Sequence, residues 1–418
     1  MQLYAENEFR NLHSAIGNTM FKISIPFDKE FIAKRDKDSK DQMHQKSNRR
    51  IYTYIYGLKG LACLFIMFGH FSNIYKFASN SQKIDCWFLN FFSVVPFTFF
   101  TTERFWLFLF FAISGYLVGG SNIQCLNDVC RKSVMRFLRL LIPVLGTILI
   151  VFALDIIVGF HTQDMKHLIE NAWLSKFYSR PFTLKDLAMD PINVFVFGRS
   201  RFDSPLWVIR DMFLASVLIY ASLFIKGLNC RAFKNHVLFW GICLTILIVC
   251  AWNEYVVIFC CIIGACGKWL EDSFRILKSR QMMWIAIALI LPAFIIKKYY
   301  AVPTIVFTLI IISIDNSFIA DLLSIKILEQ LGTISLGIFM LHWPVFNSFG
   351  LLLIEKMYGH FNNNIVFLSS FILSTGITII LSVLFKLTVE RIGTTVCKRI
   401  DSTWNRFISN AVSCNKNS

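Results

Sequence analysis

The chain has 418 residues, of which 56% are hydrophobic and 16% are charged, and its formal net charge is +16. Soluble domains are about 45–50% apolar and about 25% charged, so this composition excludes an ordinary water-soluble enzyme. The basic residues are not accompanied by a nucleic-acid-binding motif, and we expect no nucleic acid among the partners.

The hydrophobic residues are concentrated in runs of about 16–23 residues, the length that crosses a hydrocarbon core about 30 Å thick. The pattern predicts an all-α, polytopic transmembrane helical bundle with about ten spans in a lipid bilayer. The predicted spans are 51–72, 104–121, 138–160, 206–226, 236–252, 254–270, 283–298, 301–315, 331–353 and 364–388.

Basic residues cluster on one side of the predicted bundle, before the first span and after the second, fourth, sixth and tenth. The clusters are Lys46, Arg49 and Arg50; Arg131, Lys132, Arg136 and Arg139; Lys226, Arg231 and Lys234; Lys268, Arg275, Lys278 and Arg280; and Arg391, Lys398 and Arg399. Basic residues are enriched in cytoplasmic loops, so the pattern predicts a multi-pass protein of the cell membrane (plasma or inner) with both termini cytoplasmic.

The chain is predicted to have three parts. Residues 1–47 are polar and lack the apolar core of a signal peptide, so we expect a flexible cytoplasmic N-terminal segment. Residues 48–390 form the transmembrane domain, and residues 391–418 form a cytoplasmic C-terminal tail. The 161–205 connection is predicted to be an extracytoplasmic loop, because it is long and carries balanced charge.

The first span contains the segment GLKGLACLFIMFGHF, which includes Lys59 and His70. Ionisable residues inside a span are costly and normally face a protein interior or a wet cavity. The two residues are 11 positions apart, almost three helical turns, so they share one helix face and lie about 16 Å apart along its axis. Two readings stay open for each: Lys59 snorkels to the interface or serves a site, and His70 is structural or reactive.

The second span, FWLFLFFAISGYLVGG, is rich in small residues. Ser114, Gly115, Gly119 and Gly120 favour the close approach of another helix.

The third predicted span is preceded by the segment RKSVMRFLR. Arg136 and Arg139 are three residues apart and therefore lie on neighbouring positions of one helical face. Two guanidinium groups at this place suit the oxygens of a phosphate, but they are equally typical of an ordinary cytoplasmic anchor.

Two later spans carry further polar residues. In SPLWVIRDMF, Arg210 and Asp211 lie near the outer boundary of the fourth span and are expected to pair with each other or with nearby polar groups. In LGTISLGIFMLHWPVF, His342 lies well inside the ninth span, followed by Trp343 and Pro344. This combination is unusual for a purely structural helix.

In this order, the segments resemble motifs of the acyltransferase type 3 family of integral membrane acyltransferases. YGLKGLACLFIMFGHF resembles the opening motif, in which Asp-Gly-Leu-Arg-Gly leads through an apolar run to a histidine. LFFAISGYLVGG, RFLRLLIP, SPLWVIRD and LGTISLGIFMLHWPV resemble four later motifs, so the resemblance covers about residues 52 to 390. Tyr56 stands where the family has Asp, Lys59 where it has Arg, Met212 where many members have Glu, and Phe339 where Tyr is usual.

The resemblance implies an acyltransferase that transfers groups other than aminoacyl groups, most simply an O-acetyltransferase. The donor substrate would be acyl-CoA, acetyl-CoA in the first instance, and the acceptor a hydroxyl of a cell-surface or lipid-linked carbohydrate. No tightly bound cofactor and no metal is expected. A transporter or flippase of a glycan or lipid is the alternative, and a non-catalytic membrane sensor is a third possibility.

The resemblance also assigns roles to residues. His70 and Lys59 would be catalytic, as the general base and as the group that orients or charge-stabilises the donor. Arg136 and Arg139 would bind the phosphates of acyl-CoA. The cavity or substrate would be lined by Ser114, Trp207, Arg210, Asp211 and His342.

Overall fold

The computed structural model describes residues 53–76, 86–94, 97–163, 165, 174–227, 236–274 and 318–416. The chain divides into two units, Met1–Arg50 and Ile51–Ser418, and all described residues belong to the second. The predicted spans 283–298 and 301–315 and the N-terminal segment 1–47 lie outside the described residues.

The described residues form helices and turns, without a strand, which confirms the predicted all-α class. The helices are α1 (Thr53–Lys76), α2 (Trp87–Phe91), α3 (Thr98–Thr101), α4 (Glu103–Gly119), α5 (Leu126–Ile157), α6 (Leu184–Ile192), α7 (Val208–Gly227), α8 (His236–Trp252), α9 (Val256–Phe274), α10 (Phe318–Leu323), α11 (Lys326–Thr333), α12 (Ser335–Val345), α13 (Leu351–Met357), α14 (Asn363–Phe385) and α15 (Arg391–Lys416). Short 3₁₀ turns form at Leu174–Lys176 and Ser204–Trp207, and π-helical turns at Asn193–Phe197, Phe346–Gly350 and Lys386–Glu390.

Within the described residues, 5 helical stretches are long and apolar enough to cross a membrane. They are Thr53–Lys76, Leu126–Ile157, Ser204–Gly227, Ser335–Met357 and Asn363–Phe407, and shorter apolar helices cover Phe239–Trp252 and Val256–Leu270. The chain is therefore a polytopic helical membrane protein.

Two helices are longer than their predicted spans. α5 begins at Leu126 rather than at 138, because the Asp128 carboxylate accepts hydrogen bonds from the backbone N–H groups of Gln124 and Cys125 and caps the helix there. The 45-residue stretch Asn363–Phe407 is about 67 Å long, more than a bilayer about 45 Å thick with its headgroups. Hydropathy detects only the apolar part of such helices.

The extensions of α5 and α15 pack together at one end of the bundle. Arg131 pairs with Asp401 at 2.9 Å, and the Trp404 indole N–H donates to the Asn127 side chain at 3.0 Å. Two of the basic clusters found in the sequence, at 131–139 and 391–399, are thus brought onto helices that pack against each other.

The α4 and α9 helices cross at very short distance. A Cβ atom added to Gly115 would lie 1.8 Å from the Cys261 carbonyl oxygen, and one added to Gly264 would lie 1.9 Å from that of Ala112. The small residues of the second span therefore serve helix packing, as predicted for Gly115.

The predicted ninth span, 331–353, is not one regular helix. α11 ends at Thr333, α12 follows after a break at Ile334, and the π-helical turn Phe346–Gly350 joins α12 to α13. A π-helical turn widens the backbone by one residue and occurs frequently at functional sites.

The connection between α5 and α7 folds back onto α12. The Phe177 ring packs edge-on against Trp343 with centroids 5.2 Å apart, and the His161 backbone N–H donates to the Asn347 carbonyl at 3.3 Å. The described part of the 161–205 connection therefore packs against the helical segment that carries His342.

Candidate functional site

A pair of histidine rings lies between α1 and α12. The His70 and His342 ring centroids are 5.3 Å apart with a 31° tilt, and the His70 ring also meets Trp343 edge-on at 5.7 Å. His70 is half-buried, whereas His342 is completely buried. Sequence analysis selected both residues, but it did not predict that they face each other.

The surroundings of His342 determine which of its nitrogens carries the proton. Its Nδ1 lies 3.0 Å from the Ile338 carbonyl oxygen, one helical turn earlier. A carbonyl oxygen only accepts, so Nδ1 is the donor, and in the neutral ring Nε2 is an acceptor. Nε2 is buried and has no hydrogen-bond partner among the described residues.

α12 is suited to hold a polar ring in the interior because almost all its residues are buried, so it packs on every side. Its Phe339 ring stacks on Phe110 of α4 at 5.5 Å and lies 6.2 Å from His342. This aromatic pair connects the histidines with the basic residues described next.

Lys59 occupies the other end of the shared α1 face. Its Nζ lies 4.9 Å from the centre of the Phe110 ring, a cation–π arrangement, and the side chain is half-buried. Arg136 and Glu390 are both close enough to interact with it electrostatically.

Arg136 and Arg139 point to different environments. Arg136 is half-buried, and its Nε donates to the Ser216 hydroxyl of α7 at 3.1 Å. Arg139 is exposed, although its charge still acts on Arg136. Within this pair, Arg136 is the residue that is brought close to Lys59.

Glu390 is a site residue that sequence reasoning missed. It lies in the π-helical turn Lys386–Glu390, between the charges of Lys59 and Lys386, and its Oε1 is buried without a hydrogen-bond partner in the described chain. Lys386 donates to the Thr333 hydroxyl at 2.8 Å. The sequence offered one signal for Glu390: it is a carboxylate two residues beyond the predicted end of the tenth span, and it follows Lys386 by four positions.

The remaining predicted residues are Ser114, Trp207, Arg210 and Asp211. Arg210 donates through Nε to the buried Asp211 carboxylate at 2.9 Å, which confirms the expected pair. Trp207 is 41% exposed in the 3₁₀ turn before α7. Ser114 is half-buried on α4, one turn after Phe110 and on the same helical face.

In the connection between α5 and α7, Asp186 stabilises the start of α6. It accepts hydrogen bonds from the Thr183 hydroxyl at 2.7 Å and backbone N–H at 2.9 Å, and it pairs with Arg201. The Thr183 hydrogen bond and the Arg201 guanidinium lower the pKa of Asp186 to about 2.

Asp190 and Asp203 are buried in the same loop. Asp190 accepts hydrogen bonds from the Ser200 hydroxyl at 2.6 Å and the Arg201 backbone at 2.8 Å. Neither Asp203 oxygen has a hydrogen-bond partner among the described residues. Burial, with the nearby Asp190 charge, raises the pKa of Asp203 well above its ordinary value.

The comparisons agree with this arrangement. A family model described as an acyltransferase domain matches residues 52–385, most of the chain. No curated protein and no solved structure matched the chain. The match includes α1 with Lys59 and His70 and α12 with His342. The chain belongs to the acyltransferase type 3 family and is a membrane acyltransferase.

Proposed function

We propose that the protein transfers an acyl group, in the first instance acetyl, from acyl-CoA to a hydroxyl of a cell-surface or lipid-linked carbohydrate. The observation that carries this proposal is the α1 face on which half-buried His70 and Lys59 lie about 16 Å apart, with Arg136 beside Lys59. The position of Glu390 and the pairing of the histidines add two further groups to the same site.

The dimensions of α1 suit a coenzyme A thioester. Between the phosphate that carries the pantetheine arm and the sulfur there are about thirteen bonds, which span about 16 Å when extended, at about 3.8 Å per three bonds. A pyrophosphate at Lys59 and Arg136 would therefore bring the thioester close to His70. The excess of positive charge at the Lys59 end favours this orientation of the donor over the reverse.

The reaction follows from the histidine. His70 takes the proton of the acceptor hydroxyl while the hydroxyl oxygen attacks the thioester carbonyl. The new C–O bond forms, the C–S bond breaks, and the proton held by His70 passes to the departing thiolate. An imidazole suits this exchange because one ring nitrogen accepts and returns a proton while the other keeps its own N–H.

The donor enters from the cytoplasmic side and the acceptor from the opposite side. Basic residues gathered at the α5–α15 end, such as Arg131 and Arg399, support a cytoplasmic location of that end under the positive-inside rule. Under this proposal both termini are cytoplasmic, and the protein is in the plasma or inner membrane.

The decisive experiment measures transfer of labelled acetyl from acetyl-CoA by the purified protein in nanodiscs, with a panel of glycans as acceptors. His70→Ala is expected to lower kcat by about 10²–10⁴-fold, the usual contribution of general-base catalysis. His360→Ala, which removes an exposed imidazole, is the matched control and should keep native activity. Native-level transfer by His70→Ala would refute the mechanism, and glycan transport without transfer would favour the transporter reading.

The two arginines separate donor binding from simple anchoring. Arg136→Ala should raise the KM for acetyl-CoA more strongly than Arg139→Ala, because only Arg136 points into the bundle beside Lys59. Equal effects would mean that the pair acts as a diffuse positive surface, and no effect of either would leave both as topology anchors.

A further inference from the structure

One hydrogen-bond acceptor of the histidine pair, His342 Nε2, has no role in the proposed reaction. His342 is completely buried, and its Nε2 has no hydrogen-bond partner among the described residues. A buried polar atom without a partner destabilises a protein, and each such atom in a native structure calls for an explanation.

The tautomer of His342 is fixed from the other side of its ring. Nδ1 donates to the Ile338 carbonyl at 3.0 Å, so the nitrogen that remains, Nε2, presents a lone pair. Because the donor and its carbonyl are on one helix, α12 holds the ring without help from any other helix. His342 is therefore pre-set to accept a hydrogen bond.

The ring that can supply this hydrogen bond is His70. The other rings in contact with His342 are those of Phe339 and Phe346, which carry no polar hydrogen. At a centroid separation of 5.3 Å, a turn of His70 can bring two ring nitrogens to about 3 Å, hydrogen-bond distance, when one nitrogen of each ring lies on the line between the centroids. Catalytic hydrogen bonds often tighten only when substrate is bound.

We infer that His342 is a positioning residue for His70: its Nε2 accepts the N–H of His70 in the substrate-bound enzyme. The other nitrogen of His70 then carries the lone pair that meets the acceptor hydroxyl. When His70 takes the proton and becomes cationic, the same hydrogen bond stabilises it. This inference rests on the proposed role of His70 as the base, and it applies the arrangement of nucleophile, base and orienting group to a pair of imidazoles.

The test compares two variants of His342 in the acetyl-transfer assay. His342→Leu removes both nitrogens and should lower kcat by at least about 10-fold, since a wrong tautomer of a catalytic histidine costs up to about 10⁴-fold. The KM values for donor and acceptor should stay within about 2-fold of native. His342→Gln keeps a side-chain acceptor and should recover part of the lost kcat. Recovery by glutamine is the result that a purely structural role would not produce.

Phe346→Leu is the matched control. Phe346 is completely buried and contacts both His342 and Phe71, so the variant disturbs the same packing without removing a nitrogen. It should lower thermal stability while keeping most of the native kcat. Gel filtration of each variant in nanodiscs verifies that the compared proteins are folded.

Three results would overturn the inference. Native kcat in His342→Leu would show that the nitrogen is not needed. A rise in the acceptor KM with unchanged kcat would make His342 a substrate-binding residue. Equal losses in His342→Leu, His342→Gln and Phe346→Leu would reduce its role to packing. If the native protein transfers acetyl and His70→Ala does not, any of these results refutes the positioning role alone, whereas an inactive native protein refutes the proposed function and this inference with it.

Discussion

The crossing of α4 and α9 gives a prediction whose size follows from the structure. In Gly115→Ala, the new Cβ would lie 1.8 Å from the Cys261 carbonyl oxygen, whereas ordinary van der Waals contact begins at 3.4 Å. The helices must therefore separate by about 1.6 Å, and no side-chain rotation relieves a clash with backbone. Overpacking costs about 1–3 kcal/mol, and we expect the upper end of this range because the reciprocal contact of Gly264 resists the same movement.

The assay is thermal unfolding in nanodiscs followed by tryptophan fluorescence at one fixed scan rate. A loss of about 3 kcal/mol should lower the Tm of Gly115→Ala by about 5 °C. Gly241→Ala in α8 is the control, since a Cβ there would meet no atom within 4 Å and alanine favours a helix. Equal Tm values for the two alanine variants would refute the assigned close approach of α4 and α9.

Three further variants test charged groups. The folded state holds a proton on Asp203 at pH values where the unfolded chain releases it, so the native protein loses stability as the pH rises. Asp203→Asn removes this titration. The variant should therefore have a higher Tm than the native protein at pH 8, and the difference should disappear towards pH 4. The lowered pKa of Asp186 has the opposite sign: it stabilises the fold above pH 3.8, and the Tm deficit of Asp186→Asn should disappear as pH falls through about 2. Glu390→Gln removes the carboxylate beside Lys59 and so makes the net charge around Lys59 and Arg136 more positive. Calorimetry should then give a several-fold lower Kd for coenzyme A at low salt. A higher Kd would contradict the proposed binding of the donor phosphates there.

Helices that lie wholly in apolar sequence were predicted well, and those that continue into polar sequence were not. The predicted span 236–252 coincides with α8. The prediction for α5 began 12 residues late, because polar capping and pairing with the 391–416 helix extend it beyond the apolar run. Hydropathy measures transfer into lipid, and these extensions depend on contacts between helices.

The candidate site could be predicted only as far as one helix determines it. The shared face of Lys59 and His70 follows from helical periodicity alone. The partners come from elsewhere: Arg136 from α5, His342 from α12 and Glu390 from the turn after α14. The inward arginine, Arg136, donates to the Ser216 hydroxyl of α7, and a contact between two helices cannot be derived from the periodicity of one.

The architecture therefore assigns different tasks to α1 and to the helices around it. The distance between Lys59 and His70 is set by the rise of a single helix, and it cannot change without bending that helix. α1 is held in register by close backbone contacts at both Gly57 and Gly332, where an added Cβ would lie 1.6 Å from Leu323 O and 1.8 Å from Tyr56 O. Under the proposed function, this fixed spacing would select a donor by the length of its arm, and a thioester on a shorter arm, with its phosphate at Lys59, would stop short of His70. The surrounding helices would supply the charge of Arg136 and the hydrogen-bond acceptor of His342, and changes in them should alter the rate and the affinity without altering this selection by length.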